Sequence, residues 1–168
     1  MALPGFCWAA IAAAQPLAAP NVVVVSPSLV TAGQPTAHAL AALSEQGFKA
    51  VIYLAPSSVP DAIRNEPELV TNQGLEFIHI PIPFGSPTAA HVEAVSAALQ
   101  RLHGRKVLVH CQVNLRASTM VFLHRAIQEK VHPATAWEAV TPVWSPQGPW
   151  KRLVLAQLAQ HRITFDPF

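Results

Sequence analysis

Short apolar runs alternate with helical patterns along most of this 168-residue chain. The runs "NVVVVS", "KAVIYLA", "LEFIHIPI" and "KVLVH" are rich in β-branched residues and are bounded by turn residues, which is typical of strands. The run "VLVH" carries no charged residue, as expected for a strand that is buried on both faces. This alternation predicts an α/β domain with a central, mostly parallel sheet of four to five strands flanked by helices.

The helical patterns begin and end at residues that suit helix termini. Thr36 and Thr88 each precede such a pattern and are expected to cap a helix N-terminus. The first helix is predicted over residues 37–47, because apolar residues recur there at helical spacing and Gly47 ends the pattern. Another helix is predicted over residues 116–130, and two further helical patterns complete the chain.

The first 20 residues differ from the rest of the chain because they are apolar, rich in alanine and free of side-chain charge. They resemble the hydrophobic and cleavage regions of a secretory signal, with candidate cleavage sites before Gln15 and Ala19. A positively charged start is missing, so a flexible Ala/Pro tail is the alternative. We therefore expect a tail or signal remnant over residues 1–20 and one domain over residues 21–168. The protein is periplasmic or secreted if this segment is a signal, and cytoplasmic otherwise.

Composition excludes several classes of function. The net charge is +2 and no Lys/Arg block occurs, so we expect no nucleic-acid partner. No run reaches the ~20 apolar residues that span a bilayer, so no integral membrane segment is expected. The eight histidines show no ligand spacing, so no metal site is predicted. Two cysteines, Cys7 and Cys111, are too few for a disulfide framework, and a bridge between them is not favoured because Cys7 lies in the tail.

The segment "VLVHCQVNLRAST" places Cys111 directly after a buried strand and Arg116 at the start of a helix. Sites in such sheets form at the carboxyl ends of strands, and amides at a helix N-terminus bind anions. The helix dipole and a guanidinium favour a thiolate at Cys111, which is the nucleophilic form of cysteine. Ser118 is a candidate for stabilising that thiolate or assisting its departure. The candidate anion-binding residues are Gln112, Val113, Asn114, Leu115 and Arg116.

The same segment is similar to the signature loop of the cysteine-dependent protein tyrosine and dual-specificity phosphatases. The upstream segments "GQPT", "LAALSEQGFKAVIYLAP" and "GLEFIHIPIPFGSPT" resemble a bacterial subgroup of dual-specificity-phosphatase-like proteins. This resemblance covers roughly residues 22–130. It implies the fold of those enzymes and hydrolysis of aryl or tyrosine phosphate-like monoesters through a thiophosphate on Cys111. It also implies a phosphorylated small molecule or phosphoprotein as substrate, no metal or organic cofactor, and a structural role for His110.

Two features depart from the pattern of that family. Four residues, rather than the usual five, separate Cys111 from Arg116, and this is the spacing of many rhodanese-like sulfurtransferases. The segment "PIPFGSPTAAHVE" has no aspartate where those phosphatases carry a general acid. Two alternatives therefore stay open, namely a sulfurtransferase or persulfide carrier, and a phosphate-binding pseudoenzyme without turnover. The candidate replacements for the acid are Glu93, His91 and Asp61.

Overall fold

The computed structural model describes residues 16–168, and a sheet built from short β-branched runs lies at its centre. The strands are β1 (Val23–Ser26), β2 (Leu29–Ala32), β3 (Ala50–Tyr53), β4 (Glu76–His79) and β5 (Val107–His110). They form one five-stranded sheet of order β1-β2-β5-β3-β4. Strands β1 and β2 pair antiparallel, and all other neighbours are parallel. The predicted α/β architecture with a mostly parallel sheet is confirmed.

Helices cover both faces of this sheet. In the described part of the chain they are α1 (Ala37–Ala41), α2 (Glu66–Thr71), α3 (Ala89–Arg101), α4 (Leu115–Ile127), α5 (Pro133–Trp137) and α6 (Gly148–Gln160). Side chains of α1 and α2 pack in one apolar cluster, and those of α3 to α6 pack in the other. Along β5, alternate residues supply the two clusters, since Val107 and Val109 belong to one and Leu108 to the other, as the pleat requires. No helix among the described residues has the length and apolar character needed to cross a bilayer.

The register of the sheet brings three strand ends together. Residue His110 at the end of β5 pairs with Ala32 of β2 and with Tyr53 of β3. Because these strands are parallel, the loops that follow them leave the sheet at the same edge. The segment after β5 therefore lies between the segments after β2 and β3.

The predicted helix caps are confirmed, but the first helix is shorter than predicted. Thr36 accepts a hydrogen bond from the amide of Ala39 at the start of α1, and Thr88 caps α3. Helix α1 ends at Ala41 instead of continuing to residue 47. The side chain of Gln73 explains this end, since its Nε2 donates to Leu40 O (2.7 Å) and its Oε1 accepts from Ser44 N (3.0 Å). A side chain thus replaces the helical bond from residue 44 to residue 40.

The predicted tail is described only in part. Residues 1–15, including Cys7 and the site before Gln15, lie outside the described residues. Of the remainder, Leu17 is buried and belongs to the same apolar cluster as Val30 and Leu40. The last residues of this segment therefore pack against the domain.

Candidate active site

The chain leaves the sheet after β5 in a short loop that leads directly into α4. The amide of Cys111 donates to Ala32 O (3.2 Å), and the carbonyl of His110 accepts from Leu54 N (2.9 Å). These bonds hold Cys111 between β2 and β3 at the carboxyl edge of the sheet. Its thiol is fully buried and is not part of a disulfide among the described residues.

The amides of this loop are left available for a ligand. Within residues 16–168, the N–H groups of Gln112, Val113, Leu115 and Arg116 donate to no protein oxygen. Asn114 takes a left-handed conformation (φ 71°), and its side chain does not cap α4. A helix N-terminus with unpaired amides binds anions, because the amides and the helix dipole both favour negative charge.

Arg116 lies at the first turn of α4 and is held from several sides. Its Nε donates to Ile82 O (2.9 Å), and its Nη1 donates to Gln112 Oε1 (3.3 Å). Its guanidinium carbon lies 5.1 Å from the centre of the Phe84 ring. Phe84 is itself supported by Trp150, whose indole donates to Phe84 O (2.8 Å). The guanidinium is therefore positioned before any ligand binds, although Gln112 occupies one of its donors.

A pocket of about 220 Å³ opens beside the loop. Gln112 bridges two other residues that line the pocket. Its Nε2 donates to Asp61 Oδ1 (2.9 Å), and its Oε1 accepts from Arg116. Phe84 and Val113 are 40% and 43% exposed and form an apolar rim. Cys111 is not among the lining residues, so the loop separates the thiol from the pocket. The lining residues are Asp61, Phe84, Gln112, Val113, Leu115 and Arg116.

The three candidate acids lie in different places. Asp61 lines the pocket and is exposed to solvent. His91 lies in the first turn of α3, where its Nδ1 accepts from the amide of Thr88 (3.1 Å) as part of a capping box. Glu93 is exposed on the same helix and lines no part of this pocket.

Ser118, the candidate for stabilising the Cys111 thiolate, donates its hydroxyl to Asn114 O (2.8 Å).

A buried polar network supports the end of β5. His110 is fully buried, and its Nε2 lies 2.6 Å from Oε1 of Glu66, which is only 1% exposed. The other carboxylate oxygen of Glu66 accepts from Gln34 Nε2 (2.8 Å). Glu66, which follows β3, thus links Gln34 after β2 to the last residue of β5, next to Cys111. Sequence reasoning missed it, because a glutamate at the start of a short helix is ordinarily exposed.

Tyr53 is a second site residue that the sequence analysis did not identify. Its ring stacks between those of His79 (5.0 Å between centres) and His110 (4.8 Å). Its hydroxyl is buried and has no hydrogen-bond partner among the described residues. Burial raises the pKa of Tyr53 to about 12, with the carboxylates of Glu66 and Asp61 adding to the effect. The hydroxyl therefore stays neutral at physiological pH.

The groups that converge at this edge of the sheet suit an anion. Four amides and a guanidinium are donors, and such donors bind phosphate or similar tetrahedral anions. In the described part of the chain no group of three or more His, Cys, Asp or Glu side chains is placed to hold a metal ion. The arrangement can bind a tetrahedral anion next to a cysteine.

Comparison with known families gives one match that covers most of the chain. The family described as the DSP-PTPase phosphatase fused to NAD+ kinase matches residues 23–145, which contain the sheet, the loop and Arg116. No curated protein matches the chain.

Solved structures give matches over a similar range. A DUF442 protein from Shewanella putrefaciens CN-32 is 30% identical with a TM-score of 0.78, and the match covers 85% of this chain and 92% of that protein. The active form of Tk-PTP is 21% identical with a TM-score of 0.68, covering 84% and 97%. The kinase-associated phosphatase KAP, with its catalytic cysteine replaced by serine, is 14% identical with a TM-score of 0.69, covering 91% and 100%. At their identities, the last two show a shared fold alone.

Proposed function

The chain belongs to the family of the DSP-PTPase phosphatase fused to NAD+ kinase, and from this premise we propose that it hydrolyses aryl phosphate monoesters with Cys111 as the nucleophile. The predicted resemblance to cysteine-dependent phosphatases is confirmed, and a phosphatase domain implies phosphorylated substrates. The observation that carries the proposal is the set of four unpaired amides beside Arg116, in the loop that directly follows Cys111.

The first chemical step is transfer of the phosphoryl group to sulfur. The Cys111 thiolate attacks phosphorus, an S–P bond forms, and the bond from phosphorus to the leaving oxygen breaks. The loop amides and Arg116 bind the three other oxygens, whose charge they stabilise in the transition state. For this, Arg116 has to exchange Gln112 Oε1 for a phosphate oxygen, and the loop has to admit the substrate to the buried thiol.

We assign the role of general acid to Asp61. It lines the pocket and is held there by the Gln112 amide, whereas the side chains of His91 and Glu93 lie on α3 outside that pocket. Protonated Asp61 gives its proton to the leaving oxygen in the first step. Its carboxylate then takes a proton from the water that attacks the thiophosphate, which releases phosphate and restores the Cys111 thiolate.

The walls of the pocket favour an aryl monoester. Phe84 and Val113 offer an apolar rim next to the anion-binding loop. Among the described residues that line the pocket, Arg116 supplies the only positive charge, and Asp61 opposes it. A single cation suits a substrate with one phosphate group. The aromatic ring of such a substrate buries apolar surface against the rim of the pocket, which favours its binding.

The decisive experiment measures wild type and Cys111→Ser on p-nitrophenyl phosphate and, separately, on thiosulfate with cyanide. We expect wild type to release p-nitrophenol and Cys111→Ser to show no turnover, since a serine hydroxyl is a far weaker nucleophile than a thiolate. Activity retained in Cys111→Ser contradicts the covalent mechanism. Thiocyanate formation without phosphatase activity identifies a sulfurtransferase, which the short loop favours. Vanadate binding that Arg116→Ala abolishes, without turnover of either substrate, identifies a pseudoenzyme.

The role of Asp61 has its own test. Asp61→Asn should lower kcat on phenyl phosphate by roughly 10²–10⁴-fold, the usual contribution of a positioned acid. The loss should be smaller for p-nitrophenyl phosphate, because its leaving group needs protonation less. Glu93→Gln is the matched control, as it removes an exposed carboxylate that lies outside the pocket. If Asp61→Asn and Glu93→Gln behave alike on both substrates, Asp61 is not the acid.

A further inference from the structure

The segment before β1 lies against the anion-binding loop. Residues 17–21, which we call the N-terminal strap, run beside the end of β2. The carbonyl of Ala18 accepts from Thr36 N (3.0 Å), and the carbonyl of Pro20 accepts from Gly33 N (2.7 Å). The strap is therefore attached by backbone hydrogen bonds to the segment that follows β2.

Two asparagines join the strap to the loop reciprocally. Asn21 Nδ2 donates to Val113 O (2.9 Å), and Asn114 Nδ2 donates to Asn21 O (2.6 Å). The same Nδ2 of Asn114 also donates to Thr31 Oγ1 (3.0 Å). Both asparagines have left-handed backbones (φ 48° and 71°), a conformation that asparagine tolerates better than most residues. The side chain of each asparagine thus donates a hydrogen bond to a backbone carbonyl of the other segment.

Gly33 shows how closely the strap and the loop approach. A Cβ at this position would lie 2.7 Å from Gln112 O, 2.8 Å from Pro20 Cβ and 3.0 Å from Val113 Cα. The neighbouring amide of Gln34 donates to Gln112 O (2.9 Å). Only glycine leaves room for this contact, so the strap and the loop pack on either side of residue 33 with no space for a side chain there.

The loop needs such support because few hydrogen bonds within it fix its backbone. Four of its amides have no protein partner, and its Asn114 side chain bonds to the strap instead of capping α4. An anion site works by preorganisation, in which the donors are in place before the ligand arrives. The bonds to the loop carbonyls of Gln112 and Val113 supply that order from outside.

We propose that Asn21 is a positioning residue for the anion-binding loop, and that the N-terminal strap holds the loop amides in the geometry that binds a phosphoryl group. The proposal rests on the proposed function only in taking the loop as the anion site. Asn21 contacts no reacting atom and acts through Val113 and Asn114. Loosening the strap therefore weakens binding of a tetrahedral anion without removing any group that touches it.

The test compares Asn21→Gly with Lys130→Gly in the full chain. Both replace a non-glycine residue at positive φ (48° and 57°) by glycine, so the backbone conformation stays accessible in each. Lys130 is exposed and lies beyond the opposite end of α4. Asn21→Gly should weaken vanadate binding, measured by calorimetry, by roughly 3–10-fold, the factor expected for one hydrogen bond. Lys130→Gly should bind vanadate as wild type does.

Hydrogen exchange followed by NMR gives a readout that requires neither ligand nor turnover. Faster exchange at the amides of Gly33 and Gln34 in Asn21→Gly alone, together with the weaker vanadate binding, supports the proposal. Equal vanadate affinity and equal exchange in the two variants overturns it, as does a common loss in both, which reports general destabilisation. Wild type that binds vanadate without hydrolysing an aryl phosphate contradicts the proposed phosphatase activity, while the comparison of the two variants still decides the role of Asn21.

Discussion

The two halves of helix α4 are packed in different ways. Its N-terminal turn is held by directional hydrogen bonds, such as those from Arg116 to Ile82 O and from Ser118 to Asn114 O. Its second half is held by aromatic contact, since the ring of Phe122 meets Trp137 edge-on with 4.7 Å between the centres. Phe165 also packs on Phe122, with 6.3 Å between the ring centres.

This difference shows how one helix serves two purposes. The buried polar groups near its N-terminus depend on specific hydrogen-bond partners, so removing a partner leaves a donor or acceptor without compensation. The aromatic cluster depends on buried area and shape, so a side chain of similar size can take the place of another. We therefore expect changes near the loop to affect both folding and anion binding, and changes near Phe122 to affect folding alone.

The largest effect on folding is expected where the network under the loop is broken. Glu66→Ala leaves His110 and Gln34 without their acceptor, and should lower the free energy of unfolding by about 2–5 kcal/mol. Urea denaturation measures this loss, and vanadate affinity should fall as well because His110 directly precedes Cys111. Glu68→Ala, on the exposed side of the same helix, is the control and should change stability by less than about 0.5 kcal/mol. Equal stability of the two variants would show that the network contributes nothing.

A smaller effect is expected at the other half of α4. Phe122→Leu keeps the site apolar and nearly filled, and should lower the free energy of unfolding by about 1 kcal/mol. Vanadate affinity should not change, because the rings that pack on Phe122, those of Trp137 and Phe165, lie outside the loop. If vanadate affinity falls together with stability, the two halves of α4 are coupled, and changes near Phe122 do not affect folding alone.

The smallest effect at neutral pH is expected at Tyr53, whose buried hydroxyl belongs with the polar groups of the candidate site. It is the one tyrosine of the chain, so tyrosinate absorbance reports on it alone. Burial raises the pKa of Tyr53 from 10.0 to about 12, so the absorbance should titrate with a midpoint near 12 in the folded protein.

The same shift sets a pH dependence of stability. Because the pKa is raised on folding, this contribution is fully present below pH 10.0 and is lost as the pH rises to about 12. Asp61→Asn should lower the midpoint, since the Asp61 carboxylate is one cause of the raised pKa. A midpoint near 10.0 in the folded wild type would show that the hydroxyl reaches solvent.

Much of the fold could be predicted because its signals are local. Thr88 caps α3 through an amide three residues away, and the apolar run that ends at His110 forms a buried strand by its composition. The early end of α1 could not be predicted, because it depends on Gln73, which reaches Leu40 from 33 positions along the chain. Helical periodicity contains no information about a side chain that arrives from another element.

The candidate site likewise contains residues that local sequence predicts and residues that it does not. Cys111 and Arg116 were recognisable from a strand, a loop and a helix start within a few residues. Glu66 lies 44 residues from His110, and Asn21 lies 92 residues from Val113. A partner at such a distance has no sequence signal, since many polar residues have the same composition and local context. Asp61 was one of three possible acids, and only its position in the pocket separates it from the others.

The sequence by itself determined the order of strands and helices along the chain, the mostly parallel sheet, and the cysteine and arginine on either side of a short loop. These follow from residue preferences and from spacing along a few turns of chain. Tertiary structure alone decided which groups surround that loop: the Glu66 carboxylate that contacts His110, the strap beside the loop, and the Asp61 carboxylate at the pocket. They are decided there because a buried hydrogen bond depends on which atoms the packed sheet brings within reach, and that depends on the whole fold.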